Sequence, residues 1–183
     1  MKTYQFDEKI TWIIEQHEST NHQYDKYLPY EFHLRMVHQV AKEFIHLVPK
    51  INYGPGSESL DRAILLAAFG HDLIEDTRVS YNDVKEVLGY EVAEIIYALT
   101  NEKGKNRKER ADDRYYEGIR NTEGAVFVKL CDRIANVRYG KITGSRMVQM
   151  YQKENPDFIQ KLGYQEGHRY EKMFNYLDNL FLD

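Results

Sequence analysis

Cysteine occurs once in this chain of 183 residues, as Cys131. An internal disulfide and any multi-cysteine zinc site are therefore excluded, and a reducing, cytoplasmic compartment is the simplest expectation. No apolar run approaches the length of a membrane span, so a membrane partner is not expected. A large excess of charge of either sign is also missing. The net charge is -4, which gives no support to a nucleic-acid partner or a polybasic membrane surface. The first residues, Met1 to Lys9, are polar and of mixed charge, unlike a signal or transit peptide. There is no internal repeat, no low-complexity segment and no convincing strand pattern. Aromatic residues, in contrast, are plentiful: fifteen tyrosines suit amphipathic boundary positions, with a few available to stack on a ligand.

What remains reads as helix almost throughout. Ile10, Ile13, Ile14 and His17 share one face over Phe6 to Glu18. A wide apolar stripe runs from Met36 to Val48 within a helix expected over Glu31 to Val48. Leu60 to His71 reads as a buried helix. Ser80 with Asp83 loosely matches a capping box for Tyr81 to Leu88, which Gly89 ends. Further helices are expected over Glu91 to Leu99, Asp112 to Arg120, Ala125 to Val137, Ser145 to Glu154 and Glu171 to Leu182. Asn155-Pro156-Asp157 looks like a second helix start. An all-α, single-domain helical bundle over 1–183 follows, with its core at about 24–155 and C-terminal helices over 156–183.

The chemistry concentrates in His71-Asp72-Leu73-Ile74-Glu75-Asp76-Thr77. It follows the apolar run Ala63 to Gly70. Four ionisable side chains in six residues at the end of a buried helix are costly unless a metal or partner charge compensates them. His71 and Asp72 offer a divalent cation two ligands. Glu75 and Asp76 lie one turn on, in reach of a water that the cation activates. His33 on an earlier helix and Asp132 inside Val128 to Asn136 complete a set of two His and two Asp. Helices of one bundle can converge on such a point. The hard carboxylates favour Mn²⁺ or Mg²⁺, while the imidazoles also suit Fe²⁺, Co²⁺ or Zn²⁺. Taken alone, His33 also suits a helix cap, and Asp132 a buried pair with Arg133 or Arg138. His17, His22, His38, His46 and His168 have no comparable context and read as structural or exposed.

In this order the residues resemble the HD phosphohydrolase superfamily, and more closely its RelA/SpoT-type hydrolases and the small stand-alone alarmone hydrolases. The likeness rests on Pro29-Tyr30-Glu31-Phe32-His33, on His71 to Thr77, on Gly89-Tyr90-Glu91-Val92-Ala93 before Thr100, and on Val128 to Asn136. It implies an HD-type bundle with a metal site between helices, held by His33, His71, Asp72 and Asp132. Glu75 and Asp76 would orient and deprotonate the attacking water. Asn136 would contact the nucleotide, as would Arg146 and Tyr151. Lys105, Arg107 and Lys108, with Arg110 beyond them, lie where the family gathers positive charge for phosphates; the same run also reads as a solvated loop.

In one place the chain departs from the pattern. The alarmone hydrolases carry an Arg-Lys pair before Pro-Tyr-x-x-His, where this chain has Tyr24 and Asp25, followed by Lys26. Tyr24 can stack on a base but cannot replace guanidinium hydrogen bonds; Lys26 is a partial substitute. The implied activity is metal-dependent hydrolysis of (p)ppGpp, releasing pyrophosphate from the 3′ position. The alternatives are a dNTP or NMP phosphohydrolase, or a nucleotide sensor without turnover. A small-molecule nucleotide is the expected partner, for a monomer or a homodimer.

Overall fold

The computed structural model describes residues 4–55, 57–101 and 111–182. Ten α-helices lie within them: α1 (Phe6–Ser19), α2 (Tyr30–Phe44), α3 (Leu60–Gly70), α4 (Leu73–Asp76), α5 (Tyr81–Leu88), α6 (Tyr90–Leu99), α7 (Asp113–Asn121), α8 (Ala125–Thr143), α9 (Met147–Lys161) and α10 (Glu171–Asn179). A 3₁₀ turn, Ile45–Leu47, follows α2. Two isolated antiparallel bridges, Gln23–Pro29 and Asn52–Ser59, close loops. None of the described helices is long and apolar enough to cross a membrane.

The centre of the molecule is α2, α3 and α8, each in contact with the other two, with α6 against α3 and α8. The reason is compositional. Of the eleven residues of α3, Leu60, Ala63, Ile64, Leu66, Ala67, Ala68, Phe69 and Gly70 are buried, leaving only Asp61, Arg62 and Leu65 toward water. Along α8 burial also runs round the helix, from Ala125 through Phe127, Leu130 and Ile134 to Gly140. One continuous core includes Ile13 of α1 and Phe174 and Leu177 of α10, so the flanking helices are built into the same apolar interior as residues 24–155.

Ser80 caps α5 as the sequence indicates. Its hydroxyl accepts from the Asp83 amide, and the Asp83 carboxylate accepts from Ser80 N–H at 2.7 Å. Several boundaries differ from the sequence reading, α2 and α10 among them, which end at Phe44 and Asn179. The buried helix stops at Gly70, and His71 and Asp72 form a turn before the single turn of α4. α8 runs on to Thr143, where Gly144 ends it in the left-handed conformation. The expected break at Asn155-Pro156-Asp157 is absent, and α9 passes straight through Pro156. Proline removes one backbone donor and crowds the preceding turn, but tertiary anchors lie on both sides. Asn155 donates to the Asp178 carboxylate, and Tyr151 and Phe158 both pack on Arg133.

Gly124 sets the start of α8. Its φ of +87° is open to glycine alone without strain, and a Cβ there would lie 2.8 Å from Cγ1 of Ile64. We expect Gly124→Ala to lower stability by about 2 kcal/mol, read as a shift of the urea midpoint at constant slope. An unchanged midpoint would contradict this account of the α3–α8 contact.

Candidate metal centre

Four helices deliver the centre. His33 lies one turn into α2, His71 and Asp72 on the turn between α3 and α4, and Asp132 midway along α8. Nε2 of His33 is 3.5 Å from Oδ1 of Asp132, and Nε2 of His71 is 3.8 Å from the same oxygen. One ligand atom from each of these three residues lies within 4.8 Å of the others. Oδ2 of Asp72 is 2.9 Å from Nε2 of His71 and 4.0 Å from Nε2 of His33. Both rings are buried.

The hydrogen-bond inventory shows what these groups lack. Nδ1 of His71 sits 3.2 Å from the Ala68 carbonyl, which makes Nδ1 a donor and leaves Nε2 as the ring nitrogen that can take a proton or a cation. That Nε2 is buried and has no aligned hydrogen-bond partner. A buried nitrogen without a partner, facing two carboxylate oxygens and a second imidazole, fits a divalent cation with nitrogen and oxygen ligands.

Neighbouring groups hold the carboxylates in place. Tyr30 donates its hydroxyl to Oδ2 of Asp72. Asn136, one turn beyond Asp132, donates to its Oδ1 at 2.6 Å and accepts from the Tyr24 hydroxyl at 2.8 Å. The Tyr24 ring stacks on His33, centroids 4.7 Å apart at 10°. Lys129 lies 3.4 Å from Oδ2 of Asp132. Burial opposes ionisation of Asp132, but Lys129 and the two imidazoles hold its carboxyl well below the usual range. Burial also opposes a charged His71; Asp72 and Asp132 overcome it and push the imidazole up to about 9.

Beside this centre opens a cavity of about 790 Å³. His33, Asp72 and Asp132 line it, with Glu75 and Asp76 from α4, and α9 supplies Tyr151, Glu154 and Phe158. Asn101 holds Glu75, donating from Nδ2 to Oε2 at 2.9 Å. Burial, followed by the charges of Asp72 and Glu75, pushes the Asp76 carboxyl up to about 7. His22 faces Asp76, with Nε2 and Oδ2 at 3.8 Å.

Tyr24, Asn136 and Tyr151 also line the cavity. Lys26 and Arg146 do not. Oδ1 of Asp25 accepts the amides of Tyr27 and Leu28 in a tight turn, and Lys26 is thrown outward to lie 5.1 Å from the Tyr27 ring centroid. Arg146 caps α9 five residues before Tyr151, about 140° round the helix from it, and is exposed. Lys105, Arg107, Lys108 and Arg110 lie outside the described residues.

Five further side chains gain a place at the site only in the fold. Tyr30, Lys129 and Arg133 stand inside the motifs quoted above. His17 and His22 have no metal-site context in the sequence, yet the His22 ring stacks on Tyr30 at 3.7 Å and His17 at 5.0 Å. Nδ1 of His17 and Nδ1 of His22 share a 3.2 Å contact. Nothing local marks them; only the closing of the Gln23–Pro29 loop brings His22 against Tyr30.

No protein-family model matches the chain. Sequence comparison does find relatives. The guanosine-3′,5′-bis(diphosphate) 3′-pyrophosphohydrolase MESH1 of Drosophila melanogaster is 31% identical over 78 residues, 43% of this chain and 44% of that protein. MESH1 of Danio rerio is 25% identical over 131 residues, 72% of this chain and 66% of that protein. The bifunctional (p)ppGpp synthase/hydrolase SpoT of Escherichia coli K12 is 33% identical over 85 residues, 43% of this chain and 12% of SpoT. In each case the match spans less than two thirds of the relative. A solved structure of a metazoan ortholog of SpoT, a protein that hydrolyzes ppGpp and plays a role in starvation responses, superposes on 97% of this chain and 97% of its own, with a TM-score of 0.69 at 21% identity. The chain has that fold. The all-α bundle expected from the sequence is thus the architecture of the SpoT ortholog, and the sequence relatives are of the MESH1 and SpoT kind.

A proton and a cation compete for Nε2 of His71, and the sign of that competition is testable. With the imidazole raised to about 9, the site stripped by chelation is protonated at pH 7 and must lose the proton to bind a metal. Mn²⁺ affinity, read by calorimetry, is expected to rise about tenfold per pH unit from 6 to 8. In the stripped protein, the stability from the imidazolium is fully present below about pH 6.5 and is lost as pH rises through about 9. A pH-independent Mn²⁺ affinity would contradict the assignment of His71.

Proposed function

We propose that the chain is a metal-dependent nucleotide phosphohydrolase that acts on (p)ppGpp and releases pyrophosphate from its 3′ position. One observation carries the reading: His33, His71, Asp72 and Asp132 converge beside a cavity of nucleotide size, with two further carboxylates, Glu75 and Asp76, on its wall. The names of the MESH1 and SpoT relatives support the substrate. The carboxylate-rich ligand set supports Mn²⁺, ahead of Mg²⁺, Fe²⁺, Co²⁺ or Zn²⁺. The lone, buried Cys131 supports a cytoplasmic setting.

His33, His71, Asp72 and Asp132 would hold the cation, which supplies Lewis acidity toward water and a phosphoryl oxygen. The chain's own groups do the rest. Asp76, half-buried, takes the proton of the attacking water. Glu75, held by Asn101, orients that water. His22 faces Asp76. Lys129 offsets the negative charge that grows on the phosphate beside Asp132. Tyr24 and Asn136 keep His33 and Asp132 in register, a task that leaves one face of Tyr24 covered by His33.

Asp132→Ala is expected to abolish both Mn²⁺ binding and turnover, and Asp72→Ala to abolish turnover. Glu75→Gln is expected to retain the metal and lose about 10²-fold or more in kcat. A purified Glu75→Gln protein with normal turnover would remove that carboxylate from the mechanism. Products from ppGpp, pppGpp, dNTPs and NMPs, resolved by chromatography in Mn²⁺, test the substrate. Pyrophosphate from ppGpp supports the proposal, whereas phosphate or triphosphate from the other nucleotides, or binding without turnover, replaces it.

A further inference from the structure

Arg133 is the one buried arginine of the described core, only 7% exposed. Its guanidinium lies between two rings of α9, with its central carbon 4.4 Å from the Tyr151 centroid and 4.2 Å from that of Phe158. Nη1 approaches Oε2 of Glu154 at 3.3 Å. All four residues line the cavity that holds the candidate metal centre.

The geometry limits what this cation can do. Two aromatic rings already lie against the guanidinium carbon, which leaves little room for a base to stack on it. What remains is the in-plane fork of N–H donors, the geometry that suits an oxyanion. The two rings hold the fork still, and that lowers the entropy lost when an anion binds. A structural ion pair alone is a weak account of the arrangement: the Glu154 contact is long at 3.3 Å, and Arg133, Tyr151 and Phe158, though buried, line the cavity together with Glu154.

A substrate with a pyrophosphate at the metal and a second phosphate chain on the same nucleoside has to place that chain elsewhere in the cavity. Arg133 follows Asp132 directly but projects about 100° round α8 from it, toward the α9 wall. From the ring-packed guanidinium on the cavity wall we infer that Arg133 forms a second anion subsite, which takes the uncleaved 5′-diphosphate, and that Glu154 holds the fork in place until the phosphate arrives. The inference rests on the nucleotide-hydrolase reading above, and it makes Arg133 a specificity residue for nucleotides phosphorylated at both ends.

The test is binding, measured apart from turnover. GDP and guanosine are titrated into the Mn²⁺-loaded full chain by calorimetry. GDP is expected to bind more tightly than guanosine. Arg133→Lys, which keeps the charge but loses the planar fork, is expected to weaken GDP about tenfold and leave guanosine within about twofold. Glu154→Gln, which removes the competing carboxylate, is expected to tighten GDP by about twofold or more. Equal weakening of GDP and guanosine by Arg133→Lys, or no weakening of either, overturns the subsite. If Arg133→Lys fails to fold by thermal melt, Glu154→Gln decides: unchanged or weaker GDP binding overturns it. Loss of ppGpp hydrolysis as an activity, with GDP binding still dependent on Arg133, would sink the hydrolase reading and leave the subsite standing.

Discussion

Two imidazoles and two carboxylates share one small volume inside an apolar bundle, and much of the local structure answers that constraint. Burying a charge without compensation costs several kcal/mol. Here the compensation is layered. The Ala68 carbonyl fixes one ring of the pair, the Tyr30 hydroxyl takes one carboxylate, and Asn136 and Lys129 take the other. None of these contacts belongs to the apolar core, yet each comes from a helix whose opposite side does. The hydrophobic packing of α2, α3 and α8 therefore supplies rigidity to polar groups that would otherwise repel or seek water.

The cavity has two chemically different walls. The α4 side carries acids close to the centre, Glu75 and Asp76, pinned by Asn101 and faced by His22. The α9 side is aromatic and amphipathic, with Tyr151 and Phe158 spaced to clasp a guanidinium. That clasp also explains a local oddity. Pro156 stands between these two rings in sequence, and the helix stays continuous because contacts to α8 and α10 hold it on either side. A feature that looks like a helix boundary in isolation becomes part of a wall once its partners are present.

The helices were legible because burial leaves a period. Ile10, Ile13 and Ile14 and the stripe from Met36 to Val48 repeat at helical spacing, and Ser80 with Asp83 announces a start. His33, His71, Asp72 and Asp132 were legible as a set because metal chemistry restricts residue types. The supporting groups were harder to see. Tyr24, which its place before Pro29 marks as able to stack on a base, also covers His33 with its ring and donates its hydroxyl to Asn136. Lys26 was read from sequence proximity, which a single Asx-type turn at Asp25 defeats. His17 and His22 take their meaning from a loop closure that no local pattern encodes. Arg133 sat in a quoted motif, but its environment comes from α9, eighteen and twenty-five positions further on.

Gly124, with its left-handed backbone and its hydrogen-only face against Ile64, does more than begin a helix. It acts as the zero mark of a ruler. Lys129, Asp132, Arg133 and Asn136 are read off along α8 at about 100° per residue, so their headings are all counted from that contact. Side-chain replacements between residues 125 and 136 alter one heading each. Adding or deleting a single residue between Gly124 and Lys129 would turn all four together by about 100°, away from the candidate metal centre and the cavity. The spacing of this segment is thus under tighter constraint than most of its letters.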